Sequence, residues 1–485
     1  MSQINESAIK TPGVYVNEIP SFPPSIAQVA TAIPAFIGYT ETDTDRKGVS
    51  WNLRPKRISS ILEYNEIFGG APLEANLTLA VVENHDAAGN LTGTNVTASF
   101  TGGAPSTVYL MYYALRMYFM NGGGPCYIVS VDTHTGGGGT VDDGDLQAGL
   151  DAIRAADEPT LIVFPDGRGI GSAAAYYTLL NNALTQCAEL QDRFTLLDVY
   201  DQTGDTNTNA QTFRGDPTPA AGIGAANLNY GAAYYPNLVT TLTYAYDEAS
   251  VPVAVTVAGG GTPVLTSTAL DALSAENKVV YSQAINAIRE RGVELPPSPV
   301  IAGVMATVDA TRGVWKAPAN VSLSGVQALT DMVTDESQQN LNIDATSGKS
   351  INAIRAFTGK GILVWGARTL EGNSNDFRYV SVRRFFIMVE ESAKKAAMQF
   401  VFEPNDANTW VKVRAMIENY LTNLWRLGAL AGSKPENAFY VKIGLGQTMT
   451  SQDVLEGRMI VEIGMAPVRP AEFIILRFSQ IQQQA

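Results

Sequence analysis

Two cysteines, Cys126 and Cys187, and two histidines, His85 and His134, are the only thiols and imidazoles the 485-residue chain offers. A tetrahedral zinc site built from Cys and His needs four such ligands at short spacing. His85 and His134 sit in polar, Gly-rich stretches and belong to no triad motif, so no protease chemistry is expected. Gly167-Arg168-Gly169-Ile170-Gly171, followed by Asp198 at the end of the next strand, comes nearest to a dinucleotide turn. Such a turn would offer backbone amides at a helix N-terminus to a pyrophosphate. The spacing is G-x-G-x-G rather than G-x-G-x-x-G, and Asp166 just before it would repel phosphate, so these glycines read as turn formers. Gly348-Lys349-Ser350 ends like a phosphate-binding loop, but Ile343 stands where the first glycine is required. Ser392-Ala393-Lys394-Lys395 falls inside a predicted helix without its partner motifs. Glu390 and Glu391 are adjacent and point to different helix faces. The expectation is no catalytic residue, no cofactor and no metal. The alternative from another class is a dinucleotide-binding oxidoreductase built on the 160–199 unit.

The elements that would carry these residues are those of a mixed α/β chain. Hydrophobic residues make up 45% of it, enough for more than one core, and 485 residues predict several domains. Charged residues are only 16%, against about 25% in ordinary soluble proteins. That is the composition of a surface covered by further copies of the chain. With 33 basic against 47 acidic residues the net charge is −14, which argues against binding nucleic acid or anionic membranes. The N-terminus lacks a basic stretch followed by an apolar core, so no signal peptide is expected. The apolar runs fall short of the roughly 20 residues of a membrane span. Two cysteines without a disulfide framework fit a reducing compartment.

Along the chain, residues 14–19 alternate as a strand between Pro12 and Pro20, and residues 26–39 read as a buried strand. Residues 58–79 read as helical, broken at Gly69-Gly70, and 84–107 as a loop or hairpin excursion. A helix is predicted over 109–119, a strand over 127–131, a helix over 146–156, and a β-α-β unit over 161–199. Residues 200–229 read as loop, 277–291 as helix, and Pro296-Pro297-Ser298-Pro299 as a break. Short strands and turns are expected over 323–353, with a strand at 362–365. Helices over 379–400 and 407–427 and strands at 438–445, 458–465 and 472–479 complete the pattern. Both terminal strands are isolated by prolines, at Pro20 and at Pro467 and Pro470, and must pair with something remote. On the 407–427 helix, Trp410, Val413, Ile417, Tyr420, Leu421 and Leu424 share one face, and Lys412, Glu418, Asn419, Thr422 and Arg426 the other.

Several ordered stretches resemble one family. They include Thr11-Pro12-Gly13-Val14-Tyr15, Thr31-Ala32-Ile33-Pro34-Ala35-Phe36-Ile37-Gly38, Tyr234-Tyr235-Pro236 and Arg312-Gly313-Val314-Trp315-Lys316-Ala317-Pro318-Ala319-Asn320. More specific are Gly359-Lys360-Gly361-Ile362-Leu363-Val364-Trp365-Gly366-Ala367-Arg368-Thr369 and Tyr379-Val380-Ser381-Val382-Arg383-Arg384. Phe402-Glu403-Pro404-Asn405 and Ala466-Pro467-Val468-Arg469-Pro470-Ala471-Glu472-Phe473 follow. Together they resemble the tail sheath proteins of contractile phage tails and extracellular contractile injection systems.

That resemblance implies a multidomain α/β (α+β) chain: an N-terminal arm over 1–22, an outer α/β region over 23–355, an inner sheath domain over 356–470 and a C-terminal arm over 471–485. The label "subtilisin-like" attached to the outer part concerns fold alone. It implies arm strands given to neighbours, through Val14, Tyr15, Val16 and Ile19 and through Phe473, Ile474, Ile475, Leu476 and Phe478. The accepting sheet would be formed by Phe439, Tyr440, Val441, Ile443, Ile460, Val461 and Ile463. Lys412, Glu418 and Arg426 become candidate contacts to an inner tube. The implied partners are further copies of the chain, a tube protein, and baseplate and terminator or cap proteins, with no nucleic acid and no direct membrane insertion. Assembly would occur in the bacterial cytoplasm, with the product part of a virion or of a released or anchored injection particle. A non-contractile filament or shell protein with the same arms is the remaining alternative.

Overall fold

A computed structural model describes residues 25–134, 139–200, 205–260 and 262–476. The chain divides into two compact units. Among the described residues, one comprises Ala30–Met388 with 469–476, the other Val389–Val468 with 25–29.

The larger unit is built on a nine-stranded sheet. Its spatial order is Val321–Ser322, Gly361–Val364, Ile351–Phe357, Gly231–Tyr235, Phe194–Asp198, Leu161–Val163, Pro34–Thr40, Cys126–Thr133 and Lys56–Ile58. The six strands from Ile351–Phe357 to Cys126–Thr133 run parallel, and the outer ones pair antiparallel. Strands such as Pro34–Thr40 and Phe194–Asp198 are buried at every residue, as a parallel sheet covered on both faces demands. Successive residues show the two faces. Phe36 meets Tyr118 of the helix Met111–Met120 edge-on, with ring centroids 5.2 Å apart. Ile37, pointing the other way, lies against Gly149 of the helix Asp143–Ile153, where a Cβ would come within 2.5 Å of it. The helices Ser298–Arg312 and Ala173–Leu190 pack beside these two respectively.

A second, three-stranded sheet joins the hairpin Leu77–His85 and Leu91–Phe100 to Val253–Ala258. With the helices Leu270–Glu276 and Lys278–Arg291 it has its own core of Leu77, Leu79, Val81, Val253, Leu273, Ala284 and Ile288. The hairpin corrects the expectation that helix continues to Leu79. The helix is Ile61–Phe68, ended at Gly69 (φ +84°), and Leu77, Leu79 and Val81 alternate inward as a strand.

Three further expectations are revised. The strand expected to begin at residue 26 begins at Pro34, the first among the described residues. Thr206–Arg214, read as loop, is a helix capped by Asp205. The Pro-rich break opens the helix Ser298–Arg312, because proline is tolerated in a first turn whose N–H groups lack helical partners.

The smaller unit holds the helix Ala407–Arg426, capped by Asp406, whose carboxylate accepts from the Thr409 N–H at 3.0 Å. The helix packs on the strand Phe439–Lys442, which pairs antiparallel with Glu462–Met465.

Candidate functional site

The place where a parallel doubly wound sheet usually binds a ligand is filled by the chain itself. Winding reverses beside Pro34–Thr40, so the carboxyl ends of the neighbouring strands form the crevice. Two carboxylates, Asp166 and Asp198, lie there fully buried. Asp166 accepts the N–H groups of Tyr39 (2.7 Å), Leu110 (2.5 Å) and Met111 (3.0 Å), capping the helix that begins at Met111. Asp198 accepts the N–H (2.8 Å) and hydroxyl (2.5 Å) of Ser298 and caps the helix Ser298–Arg312. Burial pushes Asp166 up to about 6 and Asp198 up to about 7, with the hydrogen bonds pulling back only part of the shift. The anion positions at these helix N-termini are therefore occupied by the protein's own side chains. The glycine turn beside them is packed as well. A Cβ on Gly167 would meet the Tyr176 ring at 2.3 Å, and one on Gly169 would meet Val141 at 2.6 Å. No room remains for a pyrophosphate, and the dinucleotide reading has no site.

The other chemical candidates are structural too. Lys349 is buried and donates to the carbonyl oxygens of Arg214 (2.9 Å) and Ile223, at the end of the Thr206–Arg214 helix. The Ser392 hydroxyl accepts from the Val29 N–H at 3.1 Å, and Lys394 pairs with Glu391 at 3.2 Å. Cys126 and Cys187 are fully buried, which raises both thiol pKa values far above the ordinary range. The His85 ring is buried against Glu83 (3.0 Å), whose carboxylate accepts the N–H groups of Val264 and Leu265 at 2.8 Å each. Among the described residues no group of three or more His, Cys, Asp or Glu could hold a metal, and no helix is long and apolar enough to cross a membrane.

What remains are surfaces. Phe439–Lys442 and Glu462–Met465 form a two-stranded sheet with register Phe439↔Met465 and Val441↔Ile463. Among the described residues no third strand joins it. Val441 and Ile443 are buried, while Tyr440 covers Gly464 on the outer face and its hydroxyl donates to Glu462 at 2.7 Å. Two strands alone make a sheet that is marginally stable at best in water. Three expected members lie outside it. Ile460 and Val461 precede the strand, because Gly457 (φ +73°) turns the chain and the Thr448 hydroxyl takes the Ile460 carbonyl at 2.7 Å. Ile443 follows its strand, with its carbonyl accepting from Arg414 at 2.5 Å.

Of the arm residues, Val14, Tyr15, Val16, Ile19 and Phe478 lie outside the described residues. Phe473, Ile474, Ile475 and Leu476 are in no strand of this single chain and are between 66% and 78% exposed. On the helix Ala407–Arg426 the apolar stripe is buried through Val413, Ile417, Tyr420, Leu421 and Leu424, and Trp410 is half-buried. Lys412 and Arg426 are exposed, Glu418 is half-buried, and at 3.6 residues per turn the three span about 120° of the circumference.

Sequence reasoning did not find two buried guanidinium clamps that tie together distant parts of the chain. Arg384 forks onto Asp309 (3.1 and 2.5 Å) and donates to the Thr31 carbonyl (2.7 Å), holding the segment that leads into the strand Pro34–Thr40. Arg368 forks onto Glu472 (3.0 and 2.6 Å) immediately before the exposed C-terminal segment. All five residues fall in stretches already singled out or beside them, but they lie far apart in sequence.

The comparisons with known proteins point to a structural family. Residues 373–481 match the family model described as the phage tail sheath C-terminal domain. The tail sheath protein of Vibrio phage KVP40 is 24% identical over 199 residues, 41% of this chain and 28% of that protein. That of Burkholderia phage BcepMu is 29% identical over 160 residues, 32% of each. The alignments thus span less than a third of these two phage proteins. Likeness to injection-system structures runs the full length. The helical sheath of the anti-feeding prophage in its contracted state is 32% identical, with a TM-score of 0.64 over 97% of this chain and 99% of that one. A PVC extracellular contractile injection system sheath complex, also contracted, is 31% identical, with a TM-score of 0.61 over 97% and 98%. With identity above 30% maintained from end to end of sheath chains, and its crevice closed by its own carboxylates, the chain belongs to the contractile tail sheath family.

Proposed function

We propose that the chain is the repeating subunit of a contractile sheath. It assembles helically around an inner tube, and its lattice repacks into a shorter, wider form that drives the tube forward. The observation that carries the reading is full-length likeness to subunits solved as a contracted helical sheath. A related chain solved in an anti-feeding prophage baseplate, 33% identical, extends the proposed partners to a baseplate. In this reading residues 1–22 and 471–485 are arms, 23–355 the outer α/β region and 356–470 the inner sheath domain. The exposed run Phe473–Leu476, with Phe478, and the strand Val14–Ile19 add to the hairpin Phe439–Lys442/Glu462–Met465 of neighbouring copies by β-augmentation. Such head-to-tail contacts do not close and so build filaments. Lys412, Glu418 and Arg426 face the tube through charges that hold weakly in water and release on rotation. A cap protein at the far end and particles of phage-tail or injection-system type complete the assembly. Electron microscopy of the purified chain, alone and with its tube protein, tests the reading. Hollow striated tubes are the expected result. Particles that stay monomeric even around tubes would overturn it.

A further inference from the structure

The chain passes from tied to untied at a single residue. Glu472 accepts from Arg368 Nε at 3.0 and 3.1 Å and from Nη2 at 2.6 Å, from Asn342 Nδ2 at 2.9 Å, and from the Tyr379 hydroxyl at 3.4 Å. The Arg368 side chain is only 4% exposed, and its remaining nitrogen donates to the Gly372 carbonyl at 3.2 Å. Its backbone is fixed in turn. The Arg368 N–H donates to Asn352 Oδ1 at 2.8 Å, and Asn352 Nδ2 donates to the Arg368 carbonyl at 2.7 Å. Asn352 belongs to the strand Ile351–Phe357 of the nine-stranded sheet. One residue past Glu472 the four apolar side chains Phe473–Leu476 stand in solvent. Four consecutive apolar residues suit a strand covered on both faces.

We infer that Arg368 and Glu472 form a positioning clamp. It fixes the point and direction in which the C-terminal strand leaves the subunit, so that rotation of the sheet is passed to the copy that accepts the strand. This rests on the strand-donation reading above. A planar, forked pair suits the task, because two parallel hydrogen bonds resist swivelling where a lysine would act as a ball joint.

The test uses the full-length chain with Glu472→Ala and with Arg368→Lys, which keeps the cation but removes the fork. Melting of the unassembled chain, pelletable tube yield, and helical rise and twist by electron microscopy are measured well below the melting temperature. The expected result for Glu472→Ala is a folded chain with about a tenfold loss of tubes, or tubes whose rise and twist scatter between particles. If Glu472→Ala does not fold, Arg368→Lys alone decides, and the same loss or scatter is expected of it. Unchanged yield and helical parameters in the variants that fold would remove the clamp and leave strand donation standing. Absence of tubes from the unaltered chain around its tube protein would remove strand donation and the clamp with it.

Discussion

Mild acid should stabilise the larger unit through Asp198. This carboxylate is buried at the end of the strand Phe194–Asp198, and burial pushes it up to about 7 despite the Ser298 hydrogen bonds and the Arg168 charge. Its unfolded value is about 3.9. Because the folded value is the higher one, its contribution is fully present below about pH 3.9 and is lost as pH rises through about 7. Linkage between pH 5 and pH 8 gives a loss of about 2 to 3 kcal/mol from this one group. In Asp198→Asn the side-chain carbonyl can still accept the Ser298 N–H, and the amide can donate to the Ser298 hydroxyl oxygen. The variant's stability relative to the parent should therefore rise by about 2 to 3 kcal/mol between pH 5 and pH 8. That corresponds to about 3 °C in apparent midpoint for a unit of this size. Thermal unfolding of the unassembled full chain at both pH values measures it. His134, whose pKa is lowered by burial, titrates with the opposite sign, so the difference between the two chains isolates Asp198. An asparagine variant whose stability relative to the parent does not rise between the two pH values would refute the reasoning, since it would show that ionising Asp198 costs the folded chain nothing.

Three further outcomes are expected. Gly464→Val would place a Cβ 2.2 Å from the Tyr440 ring, so tube assembly should be lost while the larger unit melts unchanged, as sedimentation and calorimetry would report. Cys126 and Cys187 should resist a thiol reagent at pH 8 in the folded chain and react fully in denaturant; fast labelling of either would contradict their burial. Lys412→Glu should weaken co-sedimentation with the tube protein, more at low salt than at high salt, and leave self-assembly through the arms intact.

Elements with a strong local pattern were legible in the sequence. The β-α-β unit over 161–199 stands nearly as read, and the helix Ala407–Arg426 buries the predicted stripe. Errors fell where one local signal masked another. The period-2 alternation of Leu77, Leu79 and Val81 follows directly on a helix, and the prolines before Ser298 open a helix as readily as they end one. Thr206–Arg214 is too polar to declare itself a helix, and its cap Asp205 was the available sign. Residues 472–479 read as a strand in the sequence, but Phe473–Leu476 lies in no strand of the single chain and is exposed. Arg368 and Glu472 each stood in a quoted motif, yet nothing local links residues that only the fold brings together.

The small sheet of Leu77–His85, Leu91–Phe100 and Val253–Ala258 draws on two stretches of chain that are widely separated in sequence. The two halves share one core: Leu77, Leu79 and Val81 from one stretch cluster with Val253, Leu273, Ala284 and Ile288 from the other. Grafting one half onto another scaffold would leave an apolar face in water, and trimming one half would strand its partner. The decoration is therefore a unit of exchange that can be gained, lost or retargeted only as a matched pair. An engineer who wants to display a new loop on this subunit should place it at the hairpin tip near Gly89, where a Cβ meets nothing within 4 Å, rather than cut into either half.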